Sequence, residues 1–144
     1  MSIKIFYDDS SYRIKSWRKV VKILHEVIAK EEKISGDLNL IITNDEDLKK
    51  INVQFLEHDY FTDVITFNYN EANQVNGEIY ISLDSVKENA LNYNVSLNEE
   101  IKRVMIHGVL HLVGYDDKSE EQKTEMRKQE DLWLDLLKRK YNGL

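Results

Sequence analysis

Two histidines, His107 and His111, stand four residues apart, and a glycine, Gly114, and paired acids, Asp116 and Asp117, follow at once. On a helix that interval places both imidazoles on one face, with Cβ atoms about 5–6 Å apart. One ion can bridge them when each nitrogen lies about 2.0–2.1 Å from it. Gly114 can take the left-handed conformation that ends a helix, which would turn the chain back over the histidines and bring the paired acids to where a third ligand is needed. Three protein ligands and one open position define a catalytic zinc centre, because the fourth position is left to water, whereas a structural site closes all four. The chemistry expected is hydrolysis. Gly108 occupies the place where HExxH metalloproteases carry their general base, so peptide cleavage would have to recruit a base from elsewhere. The plainer reading, two ordinary helical histidines, is weakened by context: two of only four histidines in the chain fall in one turn beside the glycine and the acids.

The element that must carry this pair is well marked. Ser96 and Glu99 form a capping-box pattern, and Ile101, Val104, Met105, Val109 and Leu112 then recur at helical spacing. The sequence predicts helices over residues 12–32, 45–55, 84–93, 97–113 and 120–141, and strands over 3–7, 37–43, 64–69 and 78–82. In the first helix Ile14, Trp17, Val21, Leu24 and Ile28 make the apolar face, and in the second Leu48, Ile51 and Phe55 point inward. Asn76-Gly77 reads as a turn between the last two strands, which pair as a hairpin. The outline is α+β, with four strands and five helices, helix-rich towards the C-terminus.

Bulk properties narrow the function classes. A chain of 144 residues, 42% hydrophobic and 32% charged, has the size and balance of a single folded domain spanning 1–144. The absence of cysteine excludes disulfides and thiolate metal sites, and fits a cytoplasmic home. The opening MSIKIFYDD lacks the apolar run of a signal peptide, and no later stretch is long and apolar enough for a membrane span. A formal net charge of −6 argues against a non-specific nucleic-acid coat but not against a nuclease. Lys15, Arg18, Lys19 and Lys22 form a basic stripe on the first helix, a track for an RNA backbone or, more plainly, a solvated face.

The run HGVLHLVGYDD, residues 107–117, closely resembles the HGxLHLxGYDH signature of the YbeY family of bacterial metal-dependent endoribonucleases. Agreement extends to Asn52, Asp59, the TDVITF segment at 62–67 (TDVLSF in the family) and GEIYIS at 77–82 (GDIxI), and to Met126 and Glu130 in the last helix. The resemblance implies a single domain with a central mixed β-sheet and a zinc ion on His107, His111 and Asp117. It also implies a role in maturing ribosomal RNA, at the 3′ end of the small-subunit RNA, and in ribosome quality control, with precursor RNA and the ribosome or its proteins as partners.

Two departures stand out. The family's third ligand is usually histidine, where this chain has Asp117; a carboxylate is a normal zinc ligand, though it makes manganese a rival ion. The family's arginine ahead of the TDVLSF segment aligns with Leu56, and its proline with Phe61, so a phosphate-gripping group is missing there. His58 is a candidate replacement for phosphate contact or proton transfer, and Asp63 and Asp59 are candidates to orient or deprotonate a nucleophile. The same residues also suit two rival functions: a zinc hydrolase of peptide or amide bonds, and a non-enzymatic ribosome assembly factor whose ion only staples the fold.

Overall fold

A computed structural model describes residues 2–8, 11–56 and 62–141. The elements run β1 (Ile3–Tyr7), α1 (Trp17–Lys30), β2 (Ile34–Thr43), α2 (Asp45–Leu56), β3 (Val64–Asn68), β4 (Gln74–Ser82), α3 (Leu83–Tyr93), α4 (Leu97–Leu112) and α5 (Glu120–Tyr141). They form one α+β domain around a four-stranded mixed sheet of order β1-β2-β4-β3, in which β1, β2 and β4 are parallel and β3 runs antiparallel to β4. The expected fold class is the one observed.

Alternation along the strands decides which face is covered. Leu38, Leu40 and Ile42 of β2 and Val75, Ile79 and Ile81 of β4 are fully buried, while their alternates Asn39, Ile41, Asn76, Glu78 and Tyr80 are only partly so. The buried face receives α1 and α4, and α4 is in turn flanked by α3 and α5. Helix α4 is therefore buried along almost its whole length, including Ile101, Val104, Met105, Ile106 and Val109. Helix α2 meets β3 and β4 through an edge-to-face series, Phe55 to Phe67 at 5.9 Å and Phe67 to Tyr80 at 5.8 Å between ring centres.

Several sequence expectations are corrected. The first helix begins at Trp17, not at residue 12: Ser16 sits in the left-handed region at φ 59°, which breaks the helical repeat, and the Ile14 N–H instead donates to the Tyr7 hydroxyl at 3.0 Å. Its apolar face is consequently rotated, with Val20, Ile23, Leu24, Val27 and Ile28 buried, and Trp17 about half exposed. Phe55 is also largely exposed despite its ring contact. Asn76 and Gly77 lie inside β4; the hairpin turns at Glu71–Gln74, where the two backbones hydrogen-bond mutually and Ala72 takes the positive φ. The Asn76 side chain is used across strands, accepting from the Asp37 N–H at 2.9 Å. The basic stripe is only partly on α1, since Lys15 precedes the helix; Lys15, Arg18 and Lys22 are exposed and Lys19 partly so.

Candidate metal centre

The start of α4 is fixed by Ser96, whose hydroxyl accepts from the Glu99 N–H at 3.0 Å. Glu99 does not complete a reciprocal box in the way its spacing suggests; its carboxylate pairs with Lys138 of α5 at 2.8 Å and so ties the two helices together. The other end of α4 closes as a Schellman turn. The Gly114 N–H donates to the His111 carbonyl at 3.1 Å and the Tyr115 N–H to the Leu110 carbonyl at 3.0 Å, with Gly114 at φ 112°. From the β3–β4 hairpin, the Asn70 amide donates to the Leu112 carbonyl at 2.8 Å and satisfies another of the helix's terminal acceptors. The chain thus folds back over the histidines as the glycine suggested.

Asp117 is then held twice over. Its own N–H donates to the Asp116 carboxylate at 3.0 Å, while its side chain meets the two histidines. Immediately after it, Ser119 and Gln122 make a true capping box at the start of α5: the Ser119 hydroxyl accepts from the Gln122 N–H at 3.1 Å and the Gln122 side chain accepts from the Ser119 N–H at 3.0 Å. That Ser-x-x-Gln pattern is legible in the sequence.

The three expected ligands converge. Nε2 of His107 and Nε2 of His111 lie 3.1 Å apart, and each is 3.4 Å from Oδ2 of Asp117. Bonds of about 2.0–2.1 Å at tetrahedral angles put ligand atoms about 3.3 Å from one another, so the donor set fits one divalent ion of zinc size. The side chains of His107 and His111 are 20% and 23% exposed and that of Asp117 40%, so the point of convergence is reached from solvent.

Behind the ligands stands a support the ligand spacing alone does not reveal. Nδ1 of His107 is 2.7 Å from a carboxylate oxygen of Glu130, on α5. With that proton donated to Glu130, Nε2 keeps its lone pair for an ion. The other Glu130 oxygen accepts from Arg103 at 3.0 Å, and Arg103 also bonds Asp131 at 2.7 Å. Burial works against charge on His107, but the hydrogen bond and charge of Glu130, with Asp117 and Asp63, outweigh it and leave its pKa above the ordinary value. Arg103 sits one turn before His107, and Glu130 is an acid on the otherwise apolar side of α5 beside Met126 and Trp133. Those placements were the available signals for this pair.

His107 and Asp117 open onto a cleft of about 350 Å³ between α3, α4 and α5. Asp63 lines it at the mouth of β3, where its carboxylate accepts from Asn89 of α3 at 3.1 Å. Glu100 is buried in the same wall, and desolvation raises its pKa. His58 and Asp59 lie outside the described residues, as does Phe61. Leu56 ends α2, partly exposed, and Asn52 is buried on the same helix. The cations that do reach the cleft are Arg103, Lys123 and Arg127. Gly108 faces the opposite way: a Cβ there would lie 2.8 Å from Ile79 of β4, so this position packs α4 on the sheet and has no room for an acid.

The fold and site define a class, an α+β domain whose helix-borne histidine pair and following aspartate could hold one divalent ion. The model of the family described as Endoribonuclease YbeY matches residues 3–138, and the chain belongs to that family. Curated relatives named "Endoribonuclease YbeY" include one from Flavobacterium johnsoniae, 48% identical over 75% of this chain and 78% of that one. Another, from Flavobacterium psychrophilum, is 42% identical over 95% of this chain and 98% of its own length. Among solved structures, that of TM1509 from Thermotoga maritima is 30% identical, covers 97% of this chain and 91% of its own, and superposes with a TM-score of 0.64. The resemblance read from residues 107–117 is borne out, and with it the nuclease class. Among the described residues, no helix is long and apolar enough to cross a membrane.

Proposed function

We propose that this chain is a single-strand-specific, metal-dependent endoribonuclease that matures the 3′ end of small-subunit ribosomal RNA and serves ribosome quality control. The observation that carries the reading is the meeting of two imidazole nitrogens and one carboxylate oxygen within 3.1–3.4 Å at the edge of a cleft that also presents cations. Membership of a family named for endoribonuclease activity supports it. The packing of Gly108 against Ile79 favours phosphodiester over peptide chemistry, because the protease base has no room at that position.

His107, His111 and Asp117 would hold the ion, which supplies positive charge to a phosphodiester under attack. Two imidazoles favour zinc, and the carboxylate keeps manganese as a rival. The chain's own residues do the rest. Glu130, fixed by Arg103, holds His107 in the tautomer that presents Nε2. Asp63, fixed by Asn89, takes the proton of the attacking water or substrate hydroxyl as the new P–O bond forms, and the leaving nucleoside oxygen takes a proton from solvent as its bond to phosphorus breaks. Asp59 and His58, a few residues before Asp63 in the chain, are assigned supporting roles in proton transfer and phosphate contact. The partners are the small-subunit RNA precursor and the ribosome with its proteins, in the cytoplasm.

The test is metal-dependent cleavage of a single-stranded RNA carrying the precursor 3′ end, comparing wild type with folded His111→Ala. Cleavage abolished by chelation and by the variant supports the reading. An intact substrate with metal-loaded wild type, presented free or on the small subunit, refutes it and moves weight to an assembly factor with a structural ion.

A further inference from the structure

We propose that Lys123 and Arg127 of α5, with the ring of Tyr93 at the end of α3, form the subsite that grips the single-stranded RNA beside the bond to be cut. The inference rests on the endoribonuclease reading and adds to it where the strand lies.

Lys123 and Arg127 are four residues apart on α5, so they share a face and are offset by about 6 Å along the axis. Both line the cleft that His107 and Asp117 open onto. Neither is committed to a strong partner. Lys123 meets Glu120 at 3.7 Å, a helical surface pair in which Glu120 is 92% exposed, the kind of contact that contributes little. Arg127 approaches Glu130 at 3.7 Å, but the same oxygen already accepts from Arg103 at 3.0 Å. The Arg127 guanidinium lies instead 5.7 Å from the centre of the Tyr93 ring. Tyr93 is 58% exposed as the last residue of α3, and Asn94 in the left-handed region at φ 56° turns the chain away after it. An exposed aromatic ring with a guanidinium beside it offers a nucleic-acid base a stacking surface, and the two cations suit the backbone phosphates on either side.

The carboxylates facing the cleft do not cancel this grip. Asp117 is one of the expected ion ligands and Glu130 serves His107 and Arg103. Asp63 is held by Asn89, and Glu100 is buried with desolvation opposing its charge. In a chain of net charge −6, the paired cations are a local feature and not part of a general attraction for RNA.

The experiment is a fluorescence-anisotropy titration of the full-length, zinc-loaded protein against a short single-stranded RNA with a cleavage-resistant phosphorothioate backbone, repeated over a range of salt. Lys123→Ala/Arg127→Ala is expected to weaken binding about tenfold or more and to flatten the slope of log K against log salt by about 1.4, the value for two phosphate contacts on a single strand. Tyr93→Ala should weaken binding about 5- to 150-fold while Tyr93→Phe binds like wild type, because the ring and not the hydroxyl stacks. Lys128→Ala, on α5 but outside the cleft, should change neither affinity nor slope, and every variant should keep its zinc affinity and melting temperature. Wild-type affinity and slope in the double variant would overturn the subsite while leaving the nuclease reading intact. A wild type that neither binds nor cleaves RNA would overturn both.

Discussion

The carboxylate of Glu130 meets Nδ1 of His107 at 2.7 Å across 23 residues of sequence, and Arg103 holds the same carboxylate from the far side at 3.0 Å. This relationship turns an ordinary helical histidine into an oriented donor. Glu130→Gln should reduce zinc affinity about 10- to 100-fold, read by competition with a chromophoric chelator, while the fold persists. Arg103→Ala should act on the fold instead. It strips a partner from a carboxylate whose side chain is 8% exposed, and should cost about 3 kcal/mol in urea unfolding.

Asp117 is the one carboxylate in the group that could hold an ion, beside His107 and His111. Asp117→His should shift the preference between zinc and manganese towards zinc by about tenfold, since an imidazole replaces a harder oxygen donor. Competition titrations with both metals on the two proteins check this. Equal selectivity would show that Asp117 is not a ligand.

The two glycines that frame the site fail in different ways. Gly108→Ala brings a Cβ to 2.8 Å from Ile79 and should cost about 1–3 kcal/mol in urea unfolding by overpacking. Gly108→Glu, which completes an HExxH pattern, should unfold the protein and give no peptidase. Gly114 has open space where its Cβ would stand, so Gly114→Ala is penalised only by its φ of 112°. That should cost about 1 kcal/mol or somewhat more, and zinc affinity should fall as Asp117 is displaced.

Lys102 is fully buried on α4, and burial, reinforced by Lys19 and Lys15, lowers its pKa to about 8. The unfolded chain holds that proton up to about pH 10.4. Below about pH 8 both states carry the charge and the full penalty of burying it is present. Between about pH 8 and 10.4 the folded state gives up its proton first, so this residue's contribution makes the protein more stable as pH rises. Urea unfolding of wild type and Lys102→Met at pH 7 and 9.5 should show this rise, on the order of 1–2 kcal/mol, in the wild type alone.

Much of the molecule follows from local rules. The four-residue histidine spacing, the glycine stop and the paired acids place three candidate ligands within one turn and a short return, so the chain need not fold globally to declare them. The start of α4 at Ser96 and the alternation in β2 and β4 are equally local, and the expected four strands and five helices are present. Elsewhere a local pattern is overridden. Helical periodicity at residues 12–16 yields to the left-handed Ser16, and a turn-like Asn-Gly pair is drawn into β4 because Asn76 bonds across strands.

Long-range packing decided what remains. The two acids of the pair are used differently: Asp116 accepts from the Asp117 N–H, and the Asp117 carboxylate meets the two histidines. Glu130, Lys123 and Arg127 reach the site, and Glu130 meets Arg103 of α4, only because α5 lies along α4, held by Lys138 and by apolar burial of Met126, Trp133, Leu134 and Leu137. A ligand set confined to one helix and its cap is readable because backbone geometry fixes its spacing. The carboxylate that orients His107 comes from a distant segment and is placed by burial, which no short window of sequence contains.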